Sequence, residues 1–240
     1  MVHLIGQTTA TPHHMFDNIN YSPNQPSEAE NICEIMGRLC YRSFEPGLNP
    51  NVTKIRESGY IENIIRSGHG SVLEHSSANF VFDKVSRVVT HELVRHRVGT
   101  AISQESLRYV RLDKLEAYVP VCIKNNGEAT QLFVETIRHL EGVQEKLADL
   151  YAIQDRPFSE KKELTSAFRR LAPIGLATTI GWTANFRTLR HVIEMRTSPH
   201  AEEEIRILFK EVYEICKKTF PAIFFDFTCE DGWCKGEYKC

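Results

Sequence analysis

At 240 residues and 27.6 kDa, with 42% hydrophobic and 25% charged residues, the chain has the make-up of one or two globular domains, not of a disordered or collagen-like polymer. No stretch reaches the roughly 18 apolar residues of a membrane helix, and no basic segment followed by an apolar one opens the chain, so neither a span nor a signal peptide is expected. A net charge of −2 with pI near 6.6 excludes a general nucleic-acid coat.

In chain order, residues 1–26 read as an N-terminal arm, irregular from Thr11 to Pro26, where Pro, Asn and His are frequent. Ser27 with Glu30 forms a capping box, and Ile32, Ile35, Met36 and Leu39 at helical spacing predict a helix to about Cys40. A second helical stretch ends at Gly68. Ser76 to Phe82 reads as a strand with Phe80 and Phe82 on one face. Ser86 to His96 reads as a helix, and Thr100 to Glu105 as part of a polar loop. A long helix is expected over Ala129–Tyr151. Ser159 is placed to cap a helix that Pro173 stops. Ala177–Thr183 reads as a buried strand, followed by a helix with Leu189, Val192 and Ile193. An amphipathic helix runs from Ala201 to Thr219, and residues 220–240 form a tail with no assigned order. Helices outnumber strands and do not alternate with them as in a doubly wound sheet, so the expected fold is a single α+β domain over residues 1–240.

Charge is concentrated. Lys84–Arg111 holds six basic residues against two acidic, and Arg169–Arg196 five against one. Nearly all of these cations are arginines, whose planar fork suits phosphate and carboxylate. A solvated helix face normally mixes in lysine, so a focused anion site is the better reading. The seven cysteines are odd in number and widely spaced, which predicts reduced thiols in a cytoplasm. Cys229, Cys234 and Cys240 match no zinc spacing, and no metal is expected.

The densest motif is Arg95-His96-Arg97, then Gly99, then a polar run ending in Ser106-Leu107-Arg108-Tyr109. Such a segment can grip phosphates with arginine and offer polar groups to a flat ring. His91-Glu92-Leu93-Val94-Arg95-His96 is not a zinc-protease motif: its histidines stand five apart, about 140° around a helix. Neither G-x-G-x-x-G nor G-x-x-x-x-G-K-[ST] occurs, so a nucleotide or flavin would be held by side chains and helix ends. Pro120-Val121-Cys122-Ile123 lacks the Pro-Cys-His of the cysteine-dependent thymidylate synthases. The competing readings are a non-enzymatic nucleotide- or nucleic-acid-binding domain using the same arginines and a structural oligomer with arginine salt bridges. Against the first stand the acidic remainder of the chain and the lack of an aromatic-interleaved basic stripe.

Three ordered segments resemble the flavin-dependent thymidylate synthases, over about Ser27 to Thr219. They are Gly68-His69-Gly70-Ser71-Val72-Leu73-Glu74-His75, then Arg95-His96-Arg97 with Ser106-Leu107-Arg108-Tyr109, and finally Asn185-Phe186-Arg187 with His191, Arg196 and His200. The loop has one residue more than the family's usual spacing, within Thr100–Ser103. Glu92, Gln104 and His191 stand where glutamine, glutamate and asparagine are common.

The resemblance implies a mostly antiparallel central sheet flanked by helices. It implies a homotetramer with shared active sites that reductively methylates dUMP to dTMP, with FAD as cofactor, NADPH as reductant and methylenetetrahydrofolate as one-carbon donor. It places Ser71, Arg95, His96, Arg97, Gln104, Asn185, Phe186, Arg187 and His191 at FAD. Glu92, Leu93, Val94, Arg95, Gln104, Glu105, Ser106, Leu107, Arg108, Arg169 and Arg196 fall at dUMP. Arg196 would act catalytically against the pyrimidine, and His69 and Tyr109 would line the folate side. No nucleic acid or membrane partner is implied.

Overall fold

The computed structural model describes residues 1–11, 25–44, 59–108 and 114–240. Most of the predicted irregular arm, Tyr109 and Arg111 lie outside the described residues.

The described elements are β1 (Val2–Gln7), α1 (Glu28–Cys40), α2 (Tyr60–Arg66), a 3-10 turn (Gly70–His75), β2 (Ser77–Ser86), α3 (Arg87–Leu93), β3 (Thr100–Gln104), α4 (Val121–Lys124), α5 (Gly127–Leu150), α6 (Phe158–Phe168), β4 (Ala177–Asn185), α7 (Phe186–Thr197), α8 (Glu203–Thr219), β5 (Phe227–Glu230) and β6 (Trp233–Gly236). Four strands form a mostly antiparallel sheet in the order β1-β2-β4-β3, with β5 and β6 a separate hairpin. The fold is therefore α+β, as the pattern predicts. Among the described residues no helix is long and apolar enough to cross a membrane.

Local chemistry accounts for the elements. Ser27 caps α1 by accepting the Glu30 N–H, and its hydroxyl donates to the Glu30 carboxylate at 2.8 Å. β2 and β4 alternate buried and half-buried positions, burying Ala78, Phe80 and Phe82 on one and Thr178, Ile180, Trp182 and Ala184 on the other. Asn126 caps α5, and Asn185 caps α7 by accepting the Thr188 N–H at 2.8 Å.

Several expectations are corrected. β1 lies inside the predicted arm, and β3 replaces the first part of the predicted loop. Both are edge strands, and β3 buries no residue fully, so it lacks an apolar face to read. α3 ends at Leu93 rather than His96. α6 starts at Phe158 after Pro157, which leaves Ser159 inside its first turn. The tail is ordered: its strands put Cys229 opposite Cys234, and the two form a disulfide. The expectation of reduced thiols fails for that pair, because hairpin pairing brings together two cysteines that read as unrelated in sequence. The other five cysteines are free.

The chain divides into two compact units. The larger comprises residues 2–81, 96–101 and 182–240. Its core is aromatic: Phe186 meets Phe220 at 4.7 Å between ring centroids, and Trp182 meets Phe209 at 5.4 Å. Inside it Arg190 makes a two-pronged ion pair with Asp226 at 2.7 and 2.9 Å, with both side chains buried. The smaller unit holds residues 82–95 and 102–181. There Leu115 and Leu176 are buried, with Leu107, Ile137, Leu140 and Ala172 packed against them.

Candidate functional site

In the larger unit the turn before β3 carries His96 and Arg97, and α7 carries Arg187, His191 and Arg196. Gly99 shapes that turn. Its φ of +67° is left-handed, and its carbonyl accepts the Asn185 N–H at 3.0 Å. The Thr188 hydroxyl donates to the Val98 carbonyl at 2.9 Å, so the turn and the start of α7 are laced together.

His96 is the junction of this group. It is half-buried, its ring lies 6.3 Å edge-on from His191, and its Nε2 accepts the Nε–H of Arg196 at 2.7 Å. That bond requires an unprotonated Nε2. Burial, the Arg196 guanidinium and His191 together hold the His96 pKa down to about 4. His96 is thus a neutral acceptor that orients a cation. Arg187 pairs with Glu74 at 2.6 Å on the surface, and Ser71, Arg97 and His191 are exposed. A cavity of about 710 Å³ in this unit is lined by His191, Arg196 and His200 and by Phe227, Trp233 and Tyr238.

In the smaller unit the end of β3 leads into the segment of Glu105, Ser106 and Arg108. Glu105 is fixed by its N–H on the Thr179 carbonyl at 3.0 Å and by Arg87, whose Nη2 donates to the Glu105 carbonyl at 3.1 Å. The Ser106 hydroxyl accepts the Arg108 N–H at 3.3 Å, and among the described residues no histidine stands against it. The Gln104 Nε2 is buried and has no partner among the described residues, so a donor there awaits an acceptor. Arg87 is depressed from its ordinary value by burial, against which Glu105 pulls, and the nearby Arg169 charge depresses it further. The Arg87 Nε is buried and has no hydrogen-bond partner among the described residues. Arg95 and Arg108 are exposed, and among the described residues neither side chain has an ion-pair partner.

The structure divides the expected residues. His96, His191 and Arg196 are together, and Glu105 is held by Arg87, with no contact that brings Arg169 to them among the described residues. The rings and chains of Phe186 and Leu93 are fully buried, which leaves only their backbone to meet a ligand. The Leu107 side chain packs in the core of its unit. The Asn185 Oδ1 caps α7. Arg190, which swells the second basic cluster in the sequence, is bound to Asp226. Arg87, which belongs to the first basic cluster without a predicted role, opens α3 directly after its Ser86 cap and holds the Glu105 carbonyl.

Each unit offers donors of the kind a flavin or a phosphate accepts: the larger one the exposed Arg97 and a neutral His96 beside the fixed Arg196, the smaller one the exposed Arg95 and Arg108 and the orphaned Gln104 amide. The sequence model of a family described as thymidylate synthase complementing protein matches residues 21–222. The chain is 38% identical over 215 residues to a flavin-dependent thymidylate synthase of Mycobacterium avium, covering 84% of this chain and 82% of that protein. A Mycobacterium tuberculosis protein of the same name is 36% identical over 208 residues, with 84% and 82% covered. One from Corynebacterium diphtheriae is 34% identical over 209 residues, with 84% and 80% covered.

Proposed function

From the premise that the chain belongs to the flavin-dependent thymidylate synthase family, we propose that it reductively methylates dUMP to dTMP, with FAD as cofactor, NADPH as reductant and methylenetetrahydrofolate as the one-carbon donor. The observation that carries this reading is the Arg196 Nε–H bond to a neutral His96. It places a cation whose fixed orientation suits negative charge developing on a pyrimidine when C5 becomes nucleophilic. A protonated His96 would repel Arg196, so its depressed pKa protects the arrangement at neutral pH. The flavin, when bound, supplies the hydride that completes the methyl group.

Ser71, Arg95, His96, Arg97, Gln104, Asn185, Arg187 and His191 are the FAD contacts on this reading, with Phe186 reaching it through its backbone. Glu92, Val94, Arg95, Gln104, Glu105, Ser106, Arg108, Arg169 and Arg196 hold dUMP, Leu93 and Leu107 contributing backbone only. His69 serves the folate side. Arg87 joins Arg169 at the phosphate. The assembly is a homotetramer with shared sites, working in the cytoplasm. The test is flavin absorbance of the purified protein followed by dTMP formation from dUMP, methylenetetrahydrofolate and NADPH. A colourless protein that binds no added FAD, or a flavoprotein that forms no dTMP, refutes the reading.

A further inference from the structure

Beyond residue 222, where the family match ends, the chain is built onto the helix that carries Arg196. The β5–β6 hairpin meets α7 at two points that bracket that residue. On one side the indole N–H of Trp233 donates to the Glu194 carbonyl at 3.1 Å. On the other, the Thr197 hydroxyl accepts the Cys234 N–H at 2.9 Å. The same hydroxyl has the Ile193 carbonyl at 2.7 Å and the Cys234 carbonyl at 3.2 Å as acceptors for its single proton. Thr197 and Cys234 are both without exposed surface, so water cannot stand in for either partner.

The last four carbonyls of a helix have no partner within it, and helix ends fray for that reason. In α7 those carbonyls belong to residues 194–197, and Arg196 lies among them. The hairpin supplies a donor to Glu194 and locks Thr197. We propose that the C-terminal hairpin is a positioning element for the reaction: by closing the last turn of α7 it fixes where the Arg196 guanidinium stands, with Thr197 as the positioning residue. Arg196 is then held from two directions. His96 holds the far end of its side chain, and the hairpin holds the backbone from which that long chain springs. This inference rests on the role given to Arg196 above.

The experiment uses the FAD-loaded enzyme and reads kcat, KM for dUMP and flavin occupancy. Thr197→Val keeps the shape and removes the hydroxyl. It should lower kcat about tenfold or more through misplacement of the reacting geometry, while KM and occupancy change less than about twofold. Thr197→Ser, which restores the hydroxyl, should recover most of the rate. Trp233→Phe removes one N–H and should shift kcat in the same direction by less. Wild-type kcat in Thr197→Val overturns the proposal, as does Thr197→Ser being as slow as Thr197→Val, or a loss of occupancy that parallels the loss of rate. If Thr197→Val does not fold, Trp233→Phe decides alone, and unchanged kcat there overturns it. Arg196→Lys, measured in parallel, separates the two layers. A slow Arg196→Lys beside unaffected hairpin variants removes the hairpin's role only. A wild-type Arg196→Lys removes the role of Arg196, and this inference with it.

Discussion

Gly99→Ala tests the turn on which the larger unit's site is built. At φ +67° an alanine carries left-handed strain of about 1 kcal/mol. Its Cβ would also stand 2.5 Å from the Thr188 Oγ1 and 2.8 Å from the Asn185 Cγ, with the Asn185 Nδ2 closer still. Neither neighbour can step aside freely. The Asn185 Oδ1 caps α7 through the Thr188 N–H, and the Thr188 hydroxyl bonds the Val98 carbonyl. Moving the first forfeits a helix cap, about 1 kcal/mol. Moving the second breaks a hydrogen bond, about 1 kcal/mol more.

The total is about 3 kcal/mol, which for a chain of this length lowers Tm by about 6–12 °C. Urea unfolding of the variant gives the value directly, and FAD titration should show weakened binding because the turn also carries His96 and Arg97. Gly99→Asn separates the two causes: asparagine tolerates the left-handed region but brings the same Cβ. It should remain about 2 kcal/mol below wild type, the combined loss of cap and hydrogen bond. Gly99→Ala within about 0.5 kcal/mol of wild type, the range of an ordinary surface change, would refute the reasoning. A wild-type Gly99→Asn would refute the collision and leave strain alone.

Asp226→Asn should destabilise by about 3 kcal/mol in urea, because it leaves the buried Arg190 charge without its partner; a loss under about 1 kcal/mol would show that Arg190 finds other compensation. The His96 pKa, about 4 in the folded chain, is about 6.5 in the unfolded one, so between those values only the unfolded state takes up the proton. The stability from His96 is therefore complete above the unfolded value and falls on acidification from about 6.5 towards 4, and His96→Gln should flatten that part of the stability–pH curve measured by urea unfolding. An unchanged curve would show that His96 titrates normally. Ser106→Ala should retain measurable turnover with weaker dUMP binding, since the hydroxyl caps a turn and has no base beside it among the described residues; a trapped serine adduct in the wild type would contradict this. Arg95→Ala and Arg108→Ala should each be nearly inactive, yet co-refolded chains should regain activity in about a quarter of sites if one site takes Arg95 from one chain and Arg108 from its neighbour. No recovery in verified mixed oligomers would mean that the sites are not shared in this way.

What the sequence disclosed follows the strength of its periodic signals. α1, α5 and α8 carry apolar residues at helical spacing with caps in place, and their ends fall within two residues of expectation. β2 and β4 are central strands with one buried face, and their alternation is visible. β3 is an edge strand of Thr, Ala, Ile, Ser and Gln without a buried residue, so nothing separates it from a polar loop. The hairpin's Cys229 and Cys234 become partners only through pairing across Asp231 and Gly232, both left-handed; that Asp-Gly dipeptide is itself a hairpin signal, so the turn was legible although the cysteine spacing was not.

Arg190 was legible by a route that charge counting hides. The buried face of α7 is Phe186, Leu189, Arg190, Val192, Ile193 and Thr197, the three- and four-residue spacing of an apolar stripe. An arginine on such a stripe needs a carboxylate in the core, and Phe224-Phe225-Asp226-Phe227 offers one in apolar surroundings. The same stripe sorts scaffold from site. Arg187 and His191 fall off it and are exposed. Arg196 falls at its border in the last turn, half-buried, where one side of the residue can be anchored while the guanidinium is aimed by His96. A cation fully on the stripe would be neutralised by the core, as Arg190 is. One fully off it would be left to solvent, so the border is the place where a helix can present a charge that is both fixed and available.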